Sequence, residues 1–333
     1  MKTRPLARTG LELTELSFGA AGIGNLYRRV SREDAMAVLN AAWDGGIRYF
    51  DTAPYYGQGL SERRLGDFLR GKPRGEFILS TKVGRLLRPV PEAETPDNGF
   101  VDALPFAVDY DYSYDGIMRS VEFSLARLGL NRIDILYVHD LEPGTLGPEA
   151  YRRHLDVFAN DGARALAELK AKGAIGAFGI GVNEVSACLD VMEHVDLDCI
   201  LLAGRYTLLD RTAEDRLLAL CEERSTALVI GGVFNSGILA TGPVPGATFD
   251  YVEASPSIRE RVAEMEAVAM GSGVPLAAAA MRFPLRHDSV ASVLIGTGKA
   301  SSMTRNLDQF AMNVPDAVWP VMDRIVIGGG DVG

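Results

Sequence analysis

The chain has few cysteines, which argues against both a disulfide framework and a metal site built from cysteine pairs. Its 333 residues include only three, Cys188, Cys199 and Cys221, which stand apart among apolar neighbours without CxxC spacing. We therefore expect buried thiols in a reducing cytoplasm rather than a disulfide framework. Nothing in the sequence resembles the ligand spacing of a metal site, and no bound metal is predicted.

Basic residues and long apolar runs are also scarce. The chain has 34 Lys and Arg against 44 Asp and Glu, a formal net charge of −10. A general nucleic-acid binder would carry a basic face, so nucleic acid is not an expected partner. No apolar run reaches the roughly 18 residues of a membrane span, and the first residues lack a signal-peptide pattern. We expect a cytoplasmic protein without a membrane partner, a monomer or small homo-oligomer acting on a small molecule.

A GxGxxG turn after a first strand is missing too, so a Rossmann-type nucleotide site has no anchor. The chain instead alternates short apolar strands with helical segments, which predicts a parallel sheet buried on both faces. A chain of 333 residues fits one barrel or two ordinary domains. No linker is visible, and we expect a single domain over residues 1–333.

The predicted elements begin with an N-terminal hairpin around Thr9-Gly10, leading into the first strand. Predicted strands two to eight are Arg48–Thr52, Phe77–Val83, Ile133–Val138, Ala177–Val182, Cys199–Ala203, Ala227–Gly231 and Val290–Ile295. Predicted helices run from a cap at Ser31 to Asp44, then over Glu62–Arg70, Tyr114–Leu128, Gly162–Lys172, after strand five to His194, and over Ala213–Arg224, Ser257–Met270, Val274–Leu285 and Ser301–Ala311, with a short helix in the tail. Two long connections are expected: Arg85–Ser113, a loop without helical period, and Pro143–Asp161, which leads into the helix from about Gly162.

The stretch YFDTAPYYGQGLSERRLG, from Tyr49 to Gly66, organises the predicted active site. It begins as a strand that ends in Asp51, turns through a loop that carries Tyr56, and restarts as a helix near Ser61, a good N-cap residue. An acid at the end of a strand, followed by a phenol in the next loop, is typical of active sites in α/β proteins. An ordinary turn with Asp51 capping the backbone is the alternative.

Two later strand ends add a cation and an imidazole. FILSTKVG ends near Lys82, and IDILYVHD ends near His139. A free tyrosine has a pKa of about 10, too high for a base near neutrality, and an adjacent ammonium would favour the phenolate. Each residue alone also fits a structural role: an ion pair between Lys82 and Asp51, and a satisfied core histidine.

These segments together resemble the aldo-keto reductases, (β/α)8 barrels that transfer hydride between nicotinamide and a carbonyl or alcohol. The resemblance extends from about Leu6 to about Leu307 and implies a catalytic tetrad of Asp51, Tyr56, Lys82 and His139. It also implies that the hairpin closes the bottom of the barrel and that a long loop follows strand three. Tyr55 beside Tyr56 is an ambiguity, and we assign it to the pocket wall.

The resemblance implies a dinucleotide lying extended over the carboxyl end of the barrel. The family's Ser-Asn after strand five appears as Gly181-Val182, with Asn183 next, so Asn183 is predicted to hold the carboxamide. The family's glutamine on strand six and its stacking tyrosine after strand seven correspond to Ala203 and Gly231, which indicates a subgroup with different nicotinamide packing. The loop after strand seven is predicted to bind pyrophosphate through backbone N–H groups; its residues are Phe234, Asn235, Ser236, Gly237 and Leu239.

The segment IGTGKASSMTRN is similar to the family's adenosine-end loop. Its predicted cofactor residues are Gly296, Thr297, Gly298, Lys299, Ser302 and Asn306. Members that use NADP place a lysine and an arginine where this chain has Gly296 and Ser302, so NAD is the expected cofactor and NADP a possible one. Lys299 lies nearby in the same loop and is a cation that a 2′-phosphate would attract.

The segments GIGVNE, RYTLLDR and FNSGILATG resemble a branch that contains aldose 1-dehydrogenases and pyridoxal 4-dehydrogenase. The resemblance implies oxidation of an aldose at C1 to the lactone, with pyridoxal oxidation or general aldehyde and ketone reduction as alternatives. Polar substrate contacts are expected from Asp140, Glu142 and Arg205. A nucleotide-binding redox sensor and a sugar-phosphate isomerase on the same fold are the other hypotheses, and the intact tetrad disfavours both.

Overall fold

Eight parallel strands close into a barrel in the computed structural model, which describes residues 1–326. Strands that follow one another in the chain are neighbours in the barrel, and the eighth pairs with the first. The predicted (β/α)8 barrel is therefore confirmed. In chain order the barrel strands are Leu16–Gly19, Tyr49–Asp51, Ile78–Val83, Ile135–His139, Ala177–Val182, Cys199–Ala203, Ala227–Gly231 and Val290–Ile295.

Helices lie between the strands and cover the barrel. Their apolar faces pack on the outward-facing side chains of the strands in one large buried cluster. The α-helices are Arg32–Asp44, Leu60–Leu69, Tyr114–Leu128, Pro143–Leu146, Pro148–Val157, Ala163–Ala171, Val185–Met192, Leu217–Arg224, Ile238–Thr241, Pro256–Gly271, Leu276–Arg282, Ala300–Phe310 and Trp319–Met322. Within residues 1–326, none of them has the length and apolar character that crossing a bilayer requires.

The N-terminal hairpin is present where the sequence predicts it. Strands Thr3–Pro5 and Glu12–Thr14 pair antiparallel. Leu6 and Leu13 are fully buried and belong to the cluster that fills the barrel interior. The hairpin therefore closes the amino end of the barrel and leaves the carboxyl end for a site.

The expectation of an unstructured Arg85–Ser113 connection is wrong. Strands Arg85–Pro89 and Phe106–Tyr110 pair antiparallel over five residue pairs. Leu87 stands opposite Val108, and Arg88 donates diagonally across the hairpin to Asp109 at 2.9 Å. Such cross-strand contacts stabilise the hairpin. The sequence pattern does not predict it, because its tip is rich in proline and aspartate.

The Pro143–Asp161 connection contains helices that the sequence analysis did not predict. Helices Pro143–Leu146 and Pro148–Val157 each begin with a proline at the first turn, where the missing N–H costs nothing. The second continues through a π-turn, Phe158–Gly162, into the expected helix. The two prolines therefore start helices here and do not interrupt them.

The helix after the second strand begins at Leu60 rather than at a Ser61 cap. Ser61 is fully buried, and its hydroxyl donates to the Ala20 carbonyl oxygen at 2.8 Å. The predicted cap at Ser31 is confirmed, since its side chain accepts the Asp34 N–H at 3.0 Å. The predicted tail helix is present at Trp319–Met322. Residues 327–333 of the predicted domain lie outside the described residues.

Candidate active site

Strand register brings three of the predicted site residues to one end of the barrel. Asp51 is opposite Ser80 on the neighbouring strand, and His139 is opposite Gly181. Alternate residues of a strand face the barrel interior, so Asp51, Lys82 and His139 all point towards its axis. Tyr56, Lys82 and His139 line a cavity of about 300 Å³ at the carboxyl end, and Asp51 lies beneath Lys82.

Lys82 and Asp51 form a deeply buried ion pair. The Lys82 Nζ lies 2.6 Å from Asp51 Oδ2 and donates to the Thr52 carbonyl oxygen at 3.0 Å. Burial is the largest single influence and lowers the pKa of Lys82, but the charges and hydrogen bonds of Asp51 and Tyr56 together raise it by more, so the pKa lies above its ordinary value. Lys82 is therefore a cation at neutral pH, and its Nζ lies 4.7 Å from the ring centroid of Tyr56.

The pKa of Tyr56 differs from the simplest expectation. Burial raises the pKa of the phenol, the Lys82 charge lowers it, and the result lies above the ordinary value. Lys82 thus favours the phenolate, as the sequence indicates, without outweighing burial in the protein alone. Tyr56 is a neutral phenol at neutral pH, the form that can donate a proton to an oxygen in the cavity.

His139 is a neutral imidazole with an unused nitrogen. Burial and the nearby cations Arg85 and Lys82 hold its pKa well below the ordinary value. Its Nε2 lies 3.4 Å from Asp140 Oδ2, and its Nδ1 is buried without a hydrogen-bond partner. A buried polar atom without a partner is uncommon in proteins, and Nδ1 is one of several such atoms within residues 1–326.

Arg85, which the sequence analysis missed, lies behind the cavity wall and contacts two residues that line it, Tyr55 and Asp140. Its side chain is 4% exposed and pairs with Asp140, and its guanidinium carbon lies 4.2 Å from the Tyr55 ring centroid. Asp140 lines the cavity with a φ of 45°, a left-handed conformation that is strained for aspartate. Burial raises the pKa of Asp140 to about 6 even though Arg85 lowers it.

Four further aromatic side chains line the cavity. Tyr27 and Tyr251 stand at the mouth, 67% and 66% exposed, and Tyr55 and Phe100 lie deeper with ring centroids 5.5 Å apart. Tyr27 and Tyr251 both have positive φ, 61° and 67°. Asn98 completes this side. The sequence analysis named Tyr55 but missed Tyr27 and Tyr251, because each is an isolated tyrosine in a loop with no motif around it.

Asn183 lines the cavity, but its side chain is already engaged. Glu142, 2% exposed, accepts the Asn183 backbone N–H at 2.6 Å and its side-chain amide at 3.0 Å. Glu142 therefore positions Asn183 instead of facing the cavity. Arg205 does not line the cavity; it pairs with Asp210 at 3.1 Å and with Asp250 at 2.9 Å.

The loop after the seventh strand has an unusual backbone. Asn235, Ser236 and Gly237 have successive positive φ values of 45°, 60° and 110°. The side chain of Asn235 is buried and accepts from Thr207 at 2.6 Å, so only its backbone is available to a ligand. Phe234 is half-buried, whereas Leu239 is fully buried and lines a separate cavity with Met270.

The loop after the eighth strand leads into helix Ala300–Phe310, whose first turn has no side-chain cap. Gly296 and Lys299 are exposed, Thr297, Gly298 and Ser302 are half-buried, and Asn306 is buried. An uncapped helix start attracts anionic groups. The sequence analysis missed Arg305, whose guanidinium approaches the Ser302 hydroxyl at 3.5 Å. Arg28 comes close to Gly298 from the loop after the first strand.

The residues beside the tetrad fit a flat ring such as nicotinamide. Gly181 and Ala203 line the cavity, and Gly231 is the register partner of Ala203. A Cβ on Gly231 would lie 3.7 Å from the Ala203 Cβ, so the two small residues leave a shelf between neighbouring strands. A nicotinamide ring on this shelf would be held by the chain's small residues and by Asn183, which lines the same cavity.

Comparisons with known proteins give one family. The model of the "Aldo/keto reductase family" matches residues 15–327. A pyridoxal 4-dehydrogenase from Microbacterium luteolum is 47% identical over 329 residues, covering 96% of each chain. A D-threo-aldose 1-dehydrogenase from a Pseudomonas species is 42% identical over 318 residues, covering 94% of each.

Solved structures show the same fold. The holo form of an aldo-keto reductase from Bacillus halodurans aligns over 100% of both chains, with a TM-score of 0.78 and 24% identity. A glycerol dehydrogenase from Gluconobacter oxydans aligns over 97% of this chain and 94% of its own, with a TM-score of 0.76 and 24% identity. At these identities, the two structures support the barrel alone.

Proposed function

The chain belongs to the aldo/keto reductase family and is an oxidoreductase, and we propose that it oxidises the C1 hydroxyl of a cyclic aldose to give the lactone. This C1 hydroxyl is the hydroxyl of a cyclic hemiacetal. The observation that carries this proposal is the convergence of Tyr56, Lys82 and His139 on one cavity. Similar relatives are dehydrogenases of pyridoxal and of D-threo-aldose. Both compounds can close to cyclic hemiacetals, so one reaction accounts for both names.

We assign the proton transfer to Tyr56. In the direction of oxidation Tyr56 removes the hydroxyl proton, and in reduction it returns a proton to the carbonyl oxygen. Lys82 lowers the phenol pKa, and the 2.6 Å contact with Asp51 keeps Lys82 charged and fixed in place. Neutral His139 donates an N–H to the reacting oxygen. The nicotinamide, when bound, supplies the hydride acceptor or donor.

The family uses nicotinamide cofactors, and we assign NAD as the preferred one here. The cofactor contacts are the backbone of Phe234–Gly237, the small-residue shelf with Asn183, and the segment Gly296–Asn306. A 2′-phosphate would meet no cation at Gly296 or Ser302. Arg28, Lys299 and Arg305 lie nearby but are exposed, so solvent screens their attraction for the phosphate.

A second candidate substrate is an aromatic hemiacetal such as pyridoxal. The specific observation in its favour is the wall of Tyr27, Tyr55, Tyr56, Phe100 and Tyr251 around one cavity. Aromatic walls stack well on a flat ring. A saturated sugar instead needs several polar partners, and Asn98 and Asp140 supply part of that need.

We further assign residues 1–333 to one domain that acts as a monomer or small homo-oligomer in the cytoplasm. Within residues 1–326, the two buried apolar clusters lie on the outer and inner faces of one closed barrel. The three cysteines are buried and unpaired, which suits a reducing compartment.

A spectrophotometric screen tests the function. Purified protein is mixed with NAD and each of a panel of aldoses, with pyridoxal, and with simple primary alcohols, and NADH formation is followed. We expect NADH with at least one hemiacetal and a lactone as product. NADH only from simple alcohols, or activity confined to reduction of unrelated aldehydes, would refute the hemiacetal assignment.

A further inference from the structure

A chain of buried hydroxyl groups runs through the barrel interior beneath the ion pair. The Ser80 hydroxyl donates to Asp51 Oδ1 at 2.7 Å. The Tyr49 hydroxyl lies 3.0 Å from Ser80 Oγ and 3.1 Å from the Tyr137 hydroxyl. All three hydroxyl residues are 0% exposed, and their other neighbours in this layer are mostly apolar side chains such as Leu201.

The direction of these hydrogen bonds follows from counting protons. A hydroxyl has one proton to donate. Ser80 gives its proton to Asp51, so it accepts from Tyr49. Tyr49 gives its proton to Ser80, so it accepts from Tyr137. Every donor in the chain is thus oriented towards the Asp51 carboxylate, an arrangement in which each hydrogen bond polarises the next.

We propose that Ser80 and Tyr49, backed by Tyr137, are positioning residues that hold Asp51 Oδ1 and thereby commit Oδ2 to Lys82. Asp51 has two oxygens to satisfy inside the barrel, and Lys82 occupies one of them at 2.6 Å. Without the Ser80 hydroxyl, Oδ1 would be a buried charged atom without a donor. The proposal rests on the assigned role of Tyr56, because the effect reaches the reaction through Lys82 and Tyr56.

The sign of the effect follows from the charges around Tyr56. Lys82 faces the phenol from the third strand and Asp51 from the second, and Asp140 directly follows the fourth. Neutral His139 ends the fourth strand with its ring centroid 5.8 Å from that of Tyr56, and Tyr251 lines the same cavity. Removing the Ser80 donor destabilises the charged form of Asp51 and so raises its pKa. The proton shared by the pair then shifts from Lys82 towards Asp51. The phenol of Tyr56 then has less positive charge beside it and keeps its proton to higher pH. Oxidation, which needs the phenolate, should therefore require a more alkaline solution.

A purely structural role for the chain makes a different prediction. If the hydroxyl groups only satisfy one another inside the barrel, their removal lowers the melting temperature without moving the pH dependence of turnover. A matched control is available in the same barrel. Ser292 is fully buried and its hydroxyl lies 2.7 Å from that of Ser17, on the eighth and first strands. Ser292→Ala removes a buried hydroxyl that does not touch Asp51.

The experiment measures kcat and KM for oxidation against pH in the wild type, Ser80→Ala, Ser80→Thr, Tyr49→Phe and Ser292→Ala. For Ser80→Ala we expect an ascending limb about one pH unit higher, a kcat about tenfold lower near neutrality and a KM changed by less than about twofold. Tyr49→Phe should shift the limb in the same direction by less. Ser80→Thr, which keeps the hydroxyl, and Ser292→Ala should keep the wild-type limb.

A folded Ser80→Ala with the wild-type limb and kcat overturns the proposal. If Ser80→Ala does not fold, Tyr49→Phe carries the test, and an unmoved limb in that variant overturns it. If the wild type oxidises none of the panel, the proposed function fails while the positioning proposal is still tested. The Tyr56 phenol is then titrated by ultraviolet absorbance against Tyr56→Phe. A higher Tyr56 pKa in Ser80→Ala supports the proposal, and an equal pKa overturns it.

Discussion

The Lys82 ammonium lies 2.6 Å from the Asp51 carboxylate, with side chains 2% and 1% exposed. An isolated charge in such a place would lose its hydration without compensation, so the two residues hold one another in the ionised state. The pair lies below the phenol of Tyr56, where its cation acts on the proton-transfer group. This relationship leads to the first prediction.

Lys82→Met should abolish most activity and raise the pH at which any residual oxidation appears. The variant removes the cation that lowers the Tyr56 pKa. It also leaves Asp51 buried without its partner, which typically costs about 3–5 kcal/mol of stability. Lys170→Met is the control, because Lys170 also lies 2.6 Å from a carboxylate, that of Asp198, and does not line the cavity. An active Lys82→Met with the wild-type pH profile would contradict the assigned role.

The acid side of the pH profile should depend on Asp140. Burial raises its pKa to about 6, so below about pH 6 the carboxyl takes up a proton and its attraction to Arg85 is lost. We expect wild-type kcat/KM to fall in that range and Asp140→Asn to remove the dependence. Asp109→Asn, which alters an exposed arginine pair at 2.9 Å on the adjacent hairpin, should leave it intact. A pH limb that persists in Asp140→Asn would show that another group titrates.

The aromatic mouth should distinguish flat from saturated substrates. Tyr27→Ala and Tyr251→Ala each remove a tyrosine that is about two-thirds exposed at the cavity mouth. A stacking contact is worth roughly 0.5–1.5 kcal/mol beyond buried area, so KM for pyridoxal should rise several-fold while KM for an aldose changes less. Phe123→Ala, which removes an exposed aromatic ring away from the cavity, should change neither. Equal losses for both substrates would exclude selective stacking.

Cofactor choice should favour NAD. A lost charge-assisted contact is worth roughly 1.5–3 kcal/mol, so the absence of a cation at Gly296 or Ser302 should favour NAD by about tenfold or more in kcat/KM. Ser302→Arg should narrow the gap between the two cofactors, because it places a cation in the first turn of the helix that begins at Ala300. Arg305→Ala removes the nearby cation and should widen it. Steady-state kinetics with both cofactors decide, and an NADP preference in the wild type would contradict the assignment.

Most of the barrel is predictable from the sequence, because the strands are short apolar runs bounded by turn residues. Tyr49–Asp51 and Ile135–His139 lie within one or two residues of expectation. The hairpin Arg85–Pro89 with Phe106–Tyr110 is not predictable in this way, since prolines and aspartates conceal its pairing. The helix that begins at Pro148 is not predicted for a related reason. Proline usually indicates the end of a helix, whereas here it occupies the first turn.

The candidate site is predictable only where a motif carries it. Asp51, Tyr56, Lys82 and His139 each stand in a recognisable segment, and strand register then brings them together. Arg85 stands in no recognisable motif. Its place beside the site follows from its ion pair with Asp140, which lies 55 positions later in the chain. The raised pKa of Tyr56 depends on burial in the folded barrel, which a sequence pattern does not report.

The central claim is that Tyr56 transfers the proton, and its adjacent tyrosine gives a matched comparison. Both line the cavity, but Tyr56 lies beside Lys82 while Tyr55 lies beneath Arg85. The decisive measurement is turnover of the substrate found in the screen by Tyr56→Phe and Tyr55→Phe, with NAD binding followed by fluorescence. The account predicts a fall of about 100- to 10,000-fold in kcat for Tyr56→Phe, with NAD binding retained, and a much smaller loss for Tyr55→Phe. Near-normal turnover in Tyr56→Phe, or the large loss in Tyr55→Phe instead, would contradict it.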